Sequence, residues 1–371
     1  MHAERIVSIK SIGVRRCVDI EVNSKRHIFY GNGLATSNSH AISYGQTAYM
    51  CAIPKRHFPL HFFTAWLSYA GGKMKPREEI AELIQETKNF NVSVENPNIS
   101  YKNQNFVLDN GKIRYGLGSI KSCGAAEVSK LLILLQDTEK RLGKSVKDFT
   151  WHELLTKVLP YSRKDVVNNL IHAGAISQHG LTRNYMLFQY NKICELNDAE
   201  IEWINKNSNC NSLYDDIENM ILNKKTVAKR KEKLKNLLTS LANPPLNLDD
   251  SIDVIAKREE DVLGISLSCS RLDAKNTGFV NCTCLEFNRG EKINKVIIAV
   301  QLSRVTEWSP KGSDKKLCFL TGYDKTGKID IMVPHQEYEK FSFLLFNGNT
   351  VAIHGSINAK SNLTAKVITQ L

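Results

Sequence analysis

The sequence predicts a multidomain chain with three textures: a small all-β piece, a mainly helical middle and an all-β C-terminal barrel. Three observations carry this reading. Residues 1–38 alternate polar and apolar positions, most clearly at Val18, Ile20 and Val22. From Ser39 onward apolar residues recur at helical spacing. From Lys295 onward the order is three strands, a helical stretch and two strands. A length of 371 residues allows two or three domains with real cores.

A formal net charge of +12 points to a polyanionic partner, most simply nucleic acid. Solubility alone is the plainer explanation, but the excess is large. The nine cysteines form no even-spaced framework and no CxxC pair, so they read as reduced, mostly buried thiols. Cys282-Thr283-Cys284 is too tight and isolated for a zinc site, and no metal ligands are expected. Charged His2, Glu4 and Arg5 precede alternating hydrophobicity, which does not read as a secretory signal. Phe58 to Ala70 is too short to span a bilayer, so the expectation is a cytoplasmic protein without a membrane partner.

In chain order, residues 1–38 read as short strands around the Asn23-Ser24-Lys25 turn, too few to bury a core without a partner. Asn38-Ser39 is chemically suggestive. An Asn carboxamide can attack its own main-chain carbonyl and cleave the chain after Asn38, which frees a Ser39 able to accept and keep an acyl group. Ser39 then caps a helix through Ala52 that Pro54 ends or kinks. Two more helices follow: Leu60 to Tyr69, closed by Gly71-Gly72, and Pro76 to Phe90. Phe106 to Tyr115 reads as a hairpin over Asp109-Asn110-Gly111. Leu117 to Gly124 is a glycine-containing turn backed by a helix from Ala125 to Leu135. Val166 to Leu187 repeats the pattern around Gly174 and Gly180.

Asn205 to Leu213 reads as loop, and Ile217 to Leu241 as one helix carrying seven Lys and Arg residues, either a solvated face or a track along DNA. Pro244-Pro245 closes it. Asp249, Asp250 and Asp253 sit at a helix start and read as cap and dipole partners. The final strands are Val296–Val305, Leu317–Tyr323, Lys328–Val333, Thr350–His354 and Leu363–Leu371, with a helical Gln336–Phe346 between the third and fourth. That is the order of an OB-fold, a small Greek-key barrel that binds oligonucleotides. Arg304 on the first strand and the loop from Trp308 to Lys316, with Lys311, Lys315 and Lys316, suit base stacking and phosphate contact.

Two families are resembled. Asp19, His27, Gly33, Ser37 and Asn38 stand at the offsets of the C-terminal end of inteins, so 1–38 resembles the C-terminal half of a split intein, a HINT-type fragment. The resemblance makes Asn38 the cyclising residue, Ser39 the nucleophile, His27 the proton-transfer group and Asp19 its partner. Ser37 stands where many inteins have His, which leaves more to His27. The first acyl shift must come from a separate N-terminal fragment.

From Ser39, SHAISYGQTAYMCAIPKRHFPLHFFTAWLS and NPNISYKNQNFVLDNGKIRYGLGSIKSCG resemble the bacterial DNA polymerase III alpha subunit. The resemblance implies distal fingers over 39–105, with Ser39, His40 and Tyr44 near the incoming dNTP. It implies tandem helix-hairpin-helix DNA-binding motifs over 106–195, a polar linker over 196–255, and a short helix plus OB-fold over 256–371. Gly118, Lys121, Ser122, Gly124, Gly174, Gly180 and Arg183 become the phosphate-binding residues, with Ser122 where the family has a glycine. Leu213 and Tyr214 fall where the family carries a sliding-clamp peptide, although Cys210 replaces its Gln. No cofactor is expected on this chain; Mg2+ belongs at the palm of the complementary fragment. Template-primer and single-stranded DNA are the expected partners. The alternative is a non-enzymatic nucleic-acid-binding protein with an inert intein relic.

Overall fold

The computed structural model describes residues 28–31, 34–37, 41–207, 212–223, 227–245, 247–290, 295–309, 315–357 and 363–371. Two units divide the chain, residues 1–58 and 59–371. In the first, β1 (Ile28–Gly31) and β2 (Leu34–Ser37) pair antiparallel, Ile28 opposite Ser37 and Gly31 opposite Leu34. Helix α1 (Ala41–His57) follows and runs through Pro54. Proline therefore neither starts nor ends it. The helix gives up one main-chain bond there, and Phe58 N–H closes the last turn on Pro54 C=O at 2.8 Å. Asp19, His27, Asn38, Ser39 and His40 lie outside the described residues.

The helical part of the second unit begins with α2 (Pro59–Ala70) and α3 (Pro76–Thr87), whose apolar stripes bury Phe63, Leu67, Ile80, Leu83 and Ile84. A three-stranded sheet follows, β3 (Val94–Glu95), β4 (Val107–Asp109) and β5 (Lys112–Arg114), in the order β3-β5-β4. Asn110 and Gly111 both take positive φ in the turn between β4 and β5, as a two-residue hairpin connection requires. Then come α4 (Ala125–Leu142), α5 (Trp151–Lys157), α6 (Lys164–His172), α7 (Arg183–Ile193) and α8 (Asp198–Asn207).

The single long helix expected after Ile217 is instead two, α9 (Leu213–Asn223) and α10 (Ala228–Ala242), packed on each other. Folding back lets Ile217 and Met220 share one core with Leu234 and Leu237, which a straight rod would have spread along its length. The same core claims Leu213, 1% exposed in the first turn of α9, while Tyr214 is half-buried. Leu213 is an interior residue, not an exposed anchor for a clamp, because it continues the buried stripe of Ile217 and Met220. Cys210 lies outside the described residues.

Helix α11 (Ile252–Leu263) joins the helical part to the barrel. Its Glu259 is 0% exposed and accepts from six groups. Oε2 takes Ser266 Oγ (3.1 Å), Leu267 N (2.7 Å) and Ser268 N (2.9 Å). Oε1 takes Asn96 Nδ2 (3.1 Å), Arg183 Nη2 (2.6 Å) and Ser268 Oγ. The next residue, Glu260, accepts from Gln301 Nε2 of the barrel at 2.7 Å and from Arg271 Nη2. After the short α12 (Cys284–Asn288) come β6 (Val296–Trp308), β7 (Leu317–Tyr323), β8 (Lys328–Val333), α13 (His335–Phe341), β9 (Thr350–Ile357) and β10 (Leu363–Gln370). The strands close in the order β10-β8-β7-β6-β9, with β10 parallel to β8 and antiparallel to β9. Gly322 and Gly355 sit where a Cβ would fall 2.7 Å from Val300 and 2.4 Å from Thr364 C=O, so the closed barrel requires glycine at both. Among the described residues no helix is long and apolar enough to cross a membrane.

Glu259→Ala leaves the Arg183 guanidinium buried without its carboxylate. The expected loss is about 3–5 kcal/mol of stability, read by denaturant unfolding; a loss below about 1 kcal/mol would show that the contact behaves as a surface pair.

Candidate nucleic-acid interface

The first hairpin is built from Gly116 to Gly124. Leu117 to Ser119 form a 3-10 turn, Ser122 takes φ +65°, and Gly124 is the N-cap of α4. That φ is the left-handed region, which explains why a glycine suits the position and why serine there carries a strain of order 1 kcal/mol. Cys123 is buried and anchors the loop, and Asn169 Nδ2 donates to Lys121 C=O at 2.8 Å. The exposed surface is then Lys121, Ser122, Gly124 and the first turn of α4, which no side chain among the described residues caps. Uncapped main-chain N–H groups at the positive end of a helix attract a phosphate. Glu127, in that turn, opposes this, but Lys130 pairs with it at 3.1 Å and Arg163 stands 4.0 Å away. Gly118 belongs elsewhere: its N–H donates to Gln104 C=O at 2.9 Å, and a Cβ would meet that oxygen at 3.0 Å. It is a packing glycine.

The second hairpin has the same outline and a different surface. Gly174 is buried at φ +74°, where a Cβ would lie 2.7 Å from Arg183 Nη2; Gly180 is exposed at φ +64° with open space around it. Arg183, expected on phosphate, is turned inward with a side chain 12% exposed, held by Glu259 and by His172 C=O at 2.6 Å. The N-terminus of α7 is also occupied. Asp250 Oδ2 accepts from Arg183 N at 2.7 Å and Oδ1 from Asn184 N at 3.1 Å. Thr182 completes the cap on Tyr185 N at 3.2 Å. Asp250 therefore caps α7, 66 residues upstream of it in sequence separation, and not its own helix. The anion position of this hairpin holds a carboxylate of the chain itself.

On the barrel, Trp308 is the last residue of β6, paired with Leu317, and not part of a loop; its side chain is 50% exposed. Pairing places Arg304, Thr321 and Asp330 in one cross-strand row and Thr306, Phe319 and Met332 in the next. Phe319 is 45% exposed while its neighbours Cys318 and Leu320 are buried, so its ring faces outward between Thr306 and Met332. Sequence reading missed Phe319. The signal was the alternation Cys318, Leu320, Gly322 inward, which puts Phe319 on the outer phase. Lys316 pairs with Glu307 at 3.2 Å. The Tyr338 hydroxyl and then Lys316 hold the Glu307 carboxyl below its usual range. Lys315 is exposed beside them, and Lys311 lies outside the described residues. The face offers two exposed rings with Arg304, the combination that stacks bases and holds a strand of phosphates.

Among the described residues no group of three or more His, Cys, Asp or Glu is arranged to hold a metal ion. Asp250→Ala uncovers two main-chain donors at α7. The expected cost is about 1 kcal/mol of stability, with no loss of DNA affinity; a marked drop in affinity without unfolding would place Asp250 in the interface. Phe319→Ala is expected to weaken single-stranded DNA binding by about 1–3 kcal/mol in a fluorescence titration, leaving the melting temperature nearly unchanged.

Two family models match the chain: a helix-hairpin-helix motif over residues 91–186, which spans both hairpins, and an OB-fold nucleic acid binding domain over residues 296–367. The DNA polymerase III subunit alpha of Borreliella burgdorferi is 23% identical over 331 residues, 88% of this chain and 26% of that protein. The Staphylococcus aureus subunit alpha is 23% identical over 333 residues, 90% of this chain and 28% of that protein. The Ureaplasma parvum subunit alpha is 27% identical over 161 residues, 43% of this chain and 16% of that protein. The chain thus spans little more than a quarter of the length of the Borreliella and Staphylococcus proteins and about a sixth of the Ureaplasma one. It is similar to the C-terminal part of DNA polymerase III alpha subunits, with a helix-hairpin-helix region followed by an OB-fold.

Proposed function

We propose that this chain supplies the nucleic-acid-binding C-terminal part of a replicative DNA polymerase alpha subunit, and that it is joined to a separate N-terminal half by trans-splicing at Asn38–Ser39. The observation that carries the first half is the pairing of an open α4 N-terminus beside Lys121 with an outward aromatic and cationic barrel face. The chain's similarity to alpha subunits runs over about nine-tenths of its length. In this reading α4 and the barrel hold template-primer and single-stranded DNA. Ser39, His40 and Tyr44 belong to the fingers near the incoming dNTP. The catalytic carboxylates and their Mg2+ belong to the palm of the complementary half, so polymerase activity appears only after joining, in the cytoplasm of a bacterial or phage-infected cell.

The splicing half rests on the sequence around the junction. Asp19, His27, Ser37, Asn38 and Ser39 keep the spacing of an intein C-terminus, and helix α1 starts at Ala41, directly after it. Ser39 takes the upstream acyl group on its hydroxyl. Asn38 cyclises and releases 1–38, and the ester then moves to the Ser39 amine as an amide. His27 moves protons, which a serine nucleophile needs near neutral pH. The second reading is a DNA-binding accessory protein with an inert N-terminal relic, which needs only the α4 hairpin and the barrel face.

Mixing the chain with a matching N-terminal fragment and recording intact mass separates the two. The proposal expects a ligated product with release of 1–38, lost in Ser39→Ala and blocked at release in Asn38→Ala. No product, together with intact DNA binding, supports the accessory reading. DNA affinity is expected to fall steeply with salt, and Lys121→Ala to reduce the log–log slope by roughly 0.7–0.9. A slope unchanged by Lys121→Ala would remove the α4 hairpin from the interface.

A further inference from the structure

Between the helical part and the end of the barrel opposite Trp308 lies a cleft of about 610 Å³, inside the range of small-molecule sites. Its walls are the C-terminal end of α3 with the turn after it, the loop from Ile265 to Ser270, and the barrel residues Gln301 and Tyr323 to Lys325. Two polar groups on this wall are incompletely served by the protein. Lys88 is largely withdrawn from water, which lowers its ammonium pKa, and it donates to Asp324 C=O at 3.0 Å. Among the described residues no carboxylate lies within ion-pair distance of it, and the Asp324 charge, farther off, offsets the desolvation only in part. The Asp324 side chain is spent on Thr326, Gly327 and Cys284 N–H groups. A withdrawn cation with spare donors is costly unless an anion meets it. One helical turn earlier, Gln85 is 7% exposed and its Oε1 has no hydrogen-bond donor. An unserved buried carbonyl of this kind favours a ligand that brings its own N–H or O–H.

We propose that this cleft binds a nucleoside monophosphate, with its phosphate on Lys88, a ribose hydroxyl donating to Gln85, and its base against the apolar wall of Val92, Ile265 and Leu267. The two protein groups are three residues apart on one helical face, a spacing that suits a phosphate and the hydroxyls of its own ribose. Most of the remaining wall is polar, but Val92, Ile265 and Leu267 lie on it as apolar residues against which a planar base can rest. The ligand would touch both the helical part and the barrel, so its binding stabilises the seam that Glu260 and Lys88 already bridge. The site is separate from the DNA-binding face, since neither Phe319 nor Trp308 lines it.

The test is calorimetric titration of the full chain with AMP, adenosine and inorganic phosphate, paired with thermal unfolding. The expected result is one AMP site per chain and a raised melting temperature. Adenosine and Lys88→Met each weaken binding by roughly tenfold or more. Gln85→Glu places a carboxylate beside Lys88 and is expected to abolish AMP binding in a folded protein, which covers the case in which Lys88→Met fails to fold. Single-stranded DNA affinity should stay within about twofold in these variants, and AMP binding should survive Phe319→Ala. No AMP binding, or AMP binding indifferent to Gln85→Glu, overturns the proposal. Phosphate bound as tightly as AMP overturns the nucleotide assignment.

Discussion

The carboxylate of Glu259 is the contact on which the helical region depends. A charge at 0% exposure is tolerable only when every lone pair is used, and here six donors use them. The donors come from Asn96 near β3, from Arg183 at the start of α7 and from the loop after α11, so one side chain ties together segments far apart in sequence. Glu260, the next residue, points to a different side of the same helix and takes Gln301 and Arg271. Two adjacent carboxylates thereby divide the work of α11: one holds the helices, the other holds the barrel to them. Gly264 then ends the helix at φ +89°, where a Cβ would fall 2.5 Å from Arg77 C=O.

The two hairpins show how one local pattern acquires two uses. Both place a glycine or a left-handed residue before a helix, and both offer main-chain donors at that helix start. At α4 no side chain among the described residues fills the position, and Lys121 stands beside it. At α7 the Asp250 carboxylate fills it, and the arginine that would have reached outward is drawn inward by Glu259. A chain-borne carboxylate at a helix N-terminus obeys the same dipole and hydrogen-bond rules as a phosphate. The difference between an open helix start and a filled one therefore lies in a residue about 66 positions away.

On the barrel, alternation made the strands legible and also held information that composition alone hid. The strand Leu317–Tyr323 opens on four apolar residues in a row, yet pairing with β6 and β8 sets Phe319 outward beside Thr306 and Met332. Trp308 was legible as an aromatic beside lysines. Its place at the end of a strand paired with Leu317 was not, because β6 extends three residues beyond Val305.

The sequence by itself determined the order of textures, the phases of most helices and strands, the hairpin at Asp109-Asn110-Gly111, and the positions that need left-handed backbone, because these depend on neighbours within a few residues. The tertiary structure decided which of these groups remain available. It buried Leu213 in the α9 core, turned Arg183 onto Glu259, set Asp250 on α7, broke the long basic helix into α9 and α10, and left Lys88 withdrawn from water with no carboxylate among the described residues in ion-pair contact. Each of those outcomes depends on partners contributed by another segment, and no local pattern encodes which segment arrives.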